Sequence, residues 1–261
     1  MSGGRRAAVG IGAVAVVVAA AVAFLLWPRG TTEISEKDAV EDFREKKSTD
    51  TTATEGKGTG TPAPGVYTYS AEGQERVKLG PLPAQDRPLP STVTAVVTDT
   101  GPGCFQWTVN LFAEHTEDTT WCTNPSLRMQ EHAKHQTIGA ISPTATMTCD
   151  PNELPTAGGT PTELPCTLKL SGGPMSVTAT FTGTATAKAG EEIDVGGTTV
   201  QTTPIEIRYP VSGDINGTWV ETTWWSRDHL PIRVTRALEL AGTASFTENT
   251  TLQLTSLEPT S

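Results

Sequence analysis

Residues 175–187 read MSVTATFTGTATA, and this stretch decides the fold. Met175, Val177, Ala179, Phe181, Gly183, Ala185 and Ala187 fall on one side of an extended chain. Ser176, Thr178, Thr180, Thr182, Thr184 and Thr186 fall on the other. Successive side chains of a strand point to opposite faces, so this alternation predicts a strand with one apolar and one hydroxyl face. A strand of that kind belongs to an antiparallel sheet covered on one side only.

The same pattern spreads outward along the chain. Val93, Ala95 and Val97 alternate with threonines, and Phe105, Trp107, Val109 and Leu111 alternate with Gln106, Thr108 and Asn110. Further strands are predicted near 204–211, 218–226, 231–241 and 244–257. In 231–241, Ile232, Val234, Leu238 and Leu240 share a face that Arg236 interrupts. Val66–Tyr69 and Glu75–Leu79 read as a hairpin turning at Glu72-Gly73. Thr-rich composition favours strands, and no long amphipathic helix follows Gly65. The expected fold is mainly β, with an antiparallel, strongly curved sheet behind one N-terminal transmembrane helix. A half-barrel with a short helical plug and a closed sandwich both give one-sided strands, so that choice stays open.

Upstream, MSGGRRAAVGIGAVAVVVAAAVAFLLWPRG opens the chain. Arg5 and Arg6 precede an uncharged run from Ala7 to Trp27, long enough to span about 31 Å as a helix. Paired arginines keep the short N-terminal side cytoplasmic, and Trp27 stands where an interfacial anchor belongs. A cleaved signal peptide is the rival reading, since Ala21-Val22-Ala23 has the small-x-small form. Cleavage there would leave Phe24-Leu25-Leu26-Trp27 as an exposed start, so an uncleaved signal anchor is preferred. The reading divides the chain into a cytoplasmic tail (1–6), a transmembrane anchor (7–27), a juxtamembrane helix with a linker (28–64) and an extracytoplasmic β domain (65–258). Residues 34–47 (ISEKDAVEDFREKK) carry a helical pattern capped by Ser35 and Asp38, with only Val40 and Phe43 on its apolar stripe. So narrow a stripe predicts weak docking. Residues 48–64 (STDTTATEGKGTGTPAP) read as a flexible linker that tethers the domain without pressing it onto the bilayer.

The chain carries 19 basic and 29 acidic residues, a formal charge of -10. Setting aside Arg5, Arg6 and Arg29 beside the anchor leaves 16 basic residues against the same 29 acidic ones, or -13 outside. Such a surface repels nucleic acid and anionic headgroups, which makes polyanions poor partners. The four cysteines, Cys104, Cys122, Cys149 and Cys166, all fall beyond the anchor, and an even count there argues for two disulfides. Four cysteines allow three connectivities. Neighbour pairing is favoured, because Cys104 and Cys122 flank a predicted hairpin and Cys149 and Cys166 bracket a Pro/Gly-rich loop.

Candidate chemistry is thin. His132 and His135 beside Glu131 could share a helix face around a metal, but no further ligand set stands near, so two exposed histidines near an element end are preferred. Glu191-Glu192-Ile193-Asp194 lacks the spaced ligands of a calcium loop and reads as an acidic β-hairpin turn. No G-x-S-x-G, phosphate-loop or dinucleotide pattern occurs. The sequence therefore predicts no catalytic residue, no metal site and no cofactor. Trp219, Trp224 and Trp225 gather near Arg227, Asp228 and His229. Adjacent Trp224 and Trp225 cannot face the same side of a strand, so one borders solvent or a cavity. A tryptophan placed there can hold a sugar ring or an acyl chain. Val177, Phe181, Trp219, Trp224 and Trp225 are the ligand-binding candidates.

Gly65-Val66-Tyr67-Thr68-Tyr69, Gly103-Cys104-Phe105-Gln106-Trp107, Trp121-Cys122, Met147-Thr148-Cys149 and Trp224–Pro231 together resemble membrane-anchored envelope proteins typical of actinobacteria. That resemblance covers most of residues 65–258 and implies no activity or site. The aromatic strand running into Leu230-Pro231-Ile232-Arg233 is similar, over a short span, to the closing strands of LolA-like and LppX-like lipid carriers. Those are half-barrels that hold acyl chains against a concave sheet, although this chain lacks an acylated cysteine. The expected role is a non-catalytic, membrane-tethered extracytoplasmic protein that binds a lipid or another hydrophobic ligand. The alternative is an interaction or structural module that docks an envelope protein or glycan. An enzyme is the least supported class.

Overall fold

The computed structural model describes residues 31–49, 60–79, 84–138, 141–172, 177–242 and 244–261. The tail and anchor expected at 1–27, and most of the linker, lie outside the described residues. Among the described residues no helix is long and apolar enough to cross a membrane.

Among the described residues one helix, α1 (Glu36–Thr49), precedes fourteen strands. These are β1 (Gly65–Leu79), β2 (Gln85–Pro88), β3 (Thr92–Gly101), β4 (Cys104–Phe112), β5 (His115–Cys122), β6 (Arg128–Gln136) and β7 (Thr144–Cys149). They continue as β8 (Thr162–Ser171), β9 (Val177–Ala187), β10 (Glu191–Val195), β11 (Thr198–Gly213), β12 (Ile215–Trp225), β13 (Pro231–Gly242) and β14 (Ala244–Leu254). Every pairing is antiparallel. The order runs β11-β12-β13-β14-β1-β3-β4-β5-β6-β7-β8-β9 and returns through β9 onto β11.

The predicted antiparallel sheet is thus present, and it closes into a twelve-strand barrel. Closure distinguishes it from the open half-barrel that the carrier-like ending suggested. Val211 pairs with Phe181 and Ile205 with Ala187, so β11 supplies the edge that an open sheet would leave bare. β2 pairs only with the far half of β1, and the β10–β11 hairpin stands off one end of the ring. Ile193 and Val195 of that hairpin reach into the main core.

One end of the barrel carries both disulfides, the Ser226–Leu230 turn and the β10–β11 hairpin. The other carries the β4–β5 turn at Ala113-Glu114, the start of β9 and the β11–β12 turn. Cys104 pairs with Cys122 and Cys149 with Cys166, as neighbour pairing predicted. Each bridge joins directly opposed residues of adjacent strands.

The alternation of β9 holds: Ala179, Phe181 and Ala185 are buried, while Thr178, Thr180, Thr182 and Thr184 are exposed. Thr148, Thr167, Thr180 and Ser212 stand opposite one another across β7, β8, β9 and β11, forming a row of exposed hydroxyls. Such a wall suits water better than hydrocarbon.

Two local expectations change. The hairpin expected at Glu72-Gly73 is one continuous fifteen-residue strand, β1. Gly73 has φ +119°, and a Cβ there would lie 2.0 Å from the carbonyl oxygen of Asn249 on β14. The glycine therefore marks a close approach of two backbones inside the sheet. Helix α1 also docks more firmly than its narrow stripe implied. Ala39, Val40 and Phe43 are buried against Val66 and Val96, on the outer side of the ring. Expectation gave this helix only a weak dock on the domain or the bilayer. Instead it straps the outside, because Val66 and Val96 are outward-facing apolar residues in need of cover.

Gly73→Ala is expected to destabilise the protein by about 2–4 kcal/mol, since the clash is with backbone and the φ is unfavourable for a side chain. Thermal unfolding monitored by near-UV circular dichroism checks this, and an unchanged midpoint would mean that β14 yields freely.

Candidate functional site

The barrel interior divides into two layers. Toward the disulfide end it is aromatic. Trp121 and Trp225 meet edge to face with centroids 4.9 Å apart, and Tyr69 meets Trp107 at 6.3 Å. The Tyr69 hydroxyl donates to the carbonyl of Pro231 at 2.7 Å. Nearer the middle, Phe181, Tyr209 and Trp219 form a ring cluster, with His132 5.4 Å from Trp219. Gly183 makes room for it, because a Cβ there would sit 2.2 Å from the Tyr209 ring.

Toward the β4–β5 turn the interior is charged. Arg236 of β13 pairs with Glu117 of β5 across the lumen and with Glu221 of β12 beside it at 2.8 Å. Lys134 of β6 contacts Glu117 at 2.5 Å and Glu248 of β14 at 2.8 Å. Its ammonium also lies 5.5 Å from the Trp219 ring and 5.7 Å from that of Phe246. Arg87 of β2 reaches Glu75 of β1 at 3.1 Å. His115 stands between Glu75, 2.6 Å from Nδ1, and Glu117, 3.1 Å from Nε2. A carboxylate at each ring nitrogen calls for an N–H on both, which is the imidazolium form. So charged, the cluster balances Glu75, Glu117, Glu221 and Glu248 with Arg87, His115, Lys134 and Arg236.

The electrostatics follow from this packing. Burial disfavours a charged His115, but Glu75 and Glu117 outweigh it and raise its pKa to about 9. Burial likewise opposes the charge of Glu117 and Glu248. The Arg236 and Lys134 cations nevertheless hold Glu117 well below the usual carboxylate range, and Lys134 leads in lowering Glu248. Lys134 and Arg236 are raised in return, again against burial. His132 has no such carboxylate contact, and burial lowers its pKa to about 3. Its Nδ1 lies 2.9 Å from the Thr119 hydroxyl. Carboxylates this firmly engaged by cations are weak bases, so the cluster reads as a clamp on the walls more than a proton-transfer centre.

Among the described residues, Nε2 of His132 and the indole nitrogens of Trp121, Trp219 and Trp225 are buried without a hydrogen-bond partner. Each such group costs about 1–3 kcal/mol when unpaired, and the three indole N–H groups, which can only donate, favour an acceptor.

The ligand-binding candidates separate. Val177, Phe181, Trp219 and Trp225 are buried on the inner face. Trp224 turns outward across a bulge between Trp224 and Trp225 and is half-buried. Its indole donates to Glu191 at 2.9 Å, and the Arg233 guanidinium lies 5.5 Å from its ring centroid. The histidines expected to be exposed also divide. His132 is buried in the middle of β6, because period two turns it inward. His135 faces outward and pairs with Asp118 at 3.0 Å. Glu191–Asp194 form strand β10, and Gly196-Gly197 turn the hairpin. Among the described residues no cluster of His, Cys, Asp and Glu is placed to hold a metal.

Sequence reasoning missed the charged layer, although each strand carried a sign of it. Arg236 interrupted an apolar face. Glu248 keeps the phase of Phe246, Leu252 and Leu254, and Glu117 that of Trp121. The clue was charge at apolar-phase positions on several strands at once.

Comparison with family models, with curated proteins and with solved structures finds no match to this chain.

Two outcomes are expected from this layer. Arg236→Ala leaves Glu117, Glu221 and Glu248 short of a cation and should destabilise by about 3–5 kcal/mol in denaturant titration. A loss under 1 kcal/mol would show that the walls do not depend on it. Stability should also form a bell with pH. The His115 contribution, from a raised pKa, is complete below pH 6.5 and lost as pH climbs through about 9. The His132 contribution, from a lowered pKa, is complete above pH 6.5 and lost as pH falls toward about 3. Unfolding midpoints across pH 4–10 measure this, and His115→Gln should flatten the alkaline limb only.

Proposed function

We propose that this protein is a non-catalytic interaction module of the cell envelope, tethered by its N-terminal anchor, which meets an envelope glycan or protein through its outer wall. The observation that carries this is the occupation of the lumen by its own side chains. Arg236 with Glu117, and Lys134 with Glu248, join opposite walls directly, so an acyl chain threading the barrel would have to break buried ion pairs.

Trp224 is the best-placed contact on the outside. An aromatic face flanked by Arg233 and Glu191 offers a stacking surface with a donor and an acceptor beside it, which suits a sugar ring. The exposed Arg227 and Asp228 of the neighbouring turn extend the same polar surface.

A second reading keeps the interior in play. The unpaired indole donors of Trp121, Trp219 and Trp225 favour a small molecule rich in acceptors over a hydrocarbon. Native mass spectrometry of the full chain in detergent separates the cases. A co-purifying lipid would restore the lipid-binding expectation, and a small polar adduct would support the interior site.

For the outer-wall reading, Trp224→Ala is expected to lower co-sedimentation with isolated cell-wall material about tenfold, the loss of a contact worth about 1.4 kcal/mol. The thermal midpoint should hold within a few degrees. Sedimentation equal to that of the unaltered protein would sink the Trp224 assignment.

A further inference from the structure

The chain entering the barrel is fastened at one end of it. The Thr32 amide donates to Glu114 Oε2 at 2.8 Å and its hydroxyl donates to Oε1 at 2.9 Å. The Ala113 amide donates back to the Thr32 carbonyl at 2.8 Å. From this clasp at the β4–β5 turn the chain passes into α1, which runs up the outer wall toward the disulfide end. Glu36 accepts from the Thr68 and Thr260 hydroxyls, and Arg44 donates to the Ser261 carbonyl.

Residues 32–44 are therefore held against the barrel, and the linker read at 48–64 comes after them. The linker cannot separate the domain from the membrane. Only Pro28, Arg29, Gly30 and Thr31 lie between Trp27 and the clasp. Five residue steps reach about 18 Å at full extension. A barrel whose strands run about 10 residues at a tilt near 40° is about 25 Å long, so such a tether cannot let the far end reach the bilayer.

Charge points the same way. Glu192, Asp194, Arg227 and Asp228 are exposed at the far end, while Ser142, Ser171, Gly213 and Ile215 lie at the clasp end. Of the acids at the clasp end, Glu114 is engaged by Thr32 and Asp214 by the Thr178 amide, while Glu33 beside the clasp is exposed.

We infer that the protein stands on the bilayer with its β4–β5 end against the phospholipid headgroups and its β10–β11 hairpin pointing outward, fixed by the Thr32–Glu114 clasp. This rests on residues 7–27 spanning the membrane. The partner surface is the headgroup layer of the bilayer that holds its own anchor.

The test uses the full chain reconstituted in phosphatidylcholine vesicles carrying a headgroup-labelled acceptor lipid. A donor fluorophore is placed through Ser171→Cys at the clasp end or Glu192→Cys at the far end. Energy transfer from position 171 is expected to exceed that from 192 about twofold or more, because the two ends stand about 25 Å apart. Opening the clasp with Thr32→Val and Glu114→Gln together should bring the ratio toward one. A ratio near one or inverted in the unaltered chain overturns the orientation, and a ratio untouched by the double variant overturns the clasp as its cause. Loss of the protein from the vesicles in an alkaline wash removes the anchor reading itself, and sedimentation alone distinguishes that result.

Discussion

A ring of twelve strands encloses more space than one layer of side chains fills, so its walls must either part around a lumen or be drawn together. Here they are drawn together, and the charged layer around Glu117 is what draws them. Arg236 engages Glu117 and Glu221 at once, and Lys134 engages Glu117 and Glu248, so five strands on opposite sides are held at one separation. Such a layer is costly to bury, and well-packed apolar residues of equal volume often stabilise a fold as well as a buried ion pair does. What charge supplies is selectivity: a slipped register on β5, β6, β13 or β14 would strand a buried ion.

The aromatic layer then takes its position from the charged one. With the walls fixed near Lys134, the rings of Trp219, Tyr209 and Phe181 close the space next along the axis. Trp121 and Trp225 close the space beyond them. The result has the closed edge of a barrel and the filled middle of a sandwich. That combination turns the candidate recognition surface toward the outside, where hydroxyl rows and Trp224 meet water.

The fold was legible where one face of a strand is apolar and the other is not. β9, β4 and β3 announce themselves, and the cysteine pairing follows because each pair flanks adjacent strands. Ring closure was not legible, since the β9–β11 pairing depends on distant segments that carry no mutual mark. The charged layer was obscured for a related reason. Glu75, Glu117, Lys134, Arg236 and Glu248 each look like a solvent-facing residue until phase is tracked on every strand together. Gly73 shows the limit of local reading most simply: Glu72-Gly73 has turn chemistry, but its glycine serves the approach of β14, which lies far along the sequence.

The place of the two disulfides bears on the order in which the molecule can assemble. Cys104–Cys122 and Cys149–Cys166 each staple a nearest-neighbour hairpin within one arc of the ring, so both can form as soon as those hairpins have paired. The opposite arc must wait. β1, the first of the described strands, pairs along one edge with its near neighbours β2 and β3, but its other edge pairs with β14, the last of them, and Thr260 bridges Val66. That second edge of β1 therefore stays unpaired until β14 has been made, while α1, close by in sequence, can already cover Val66.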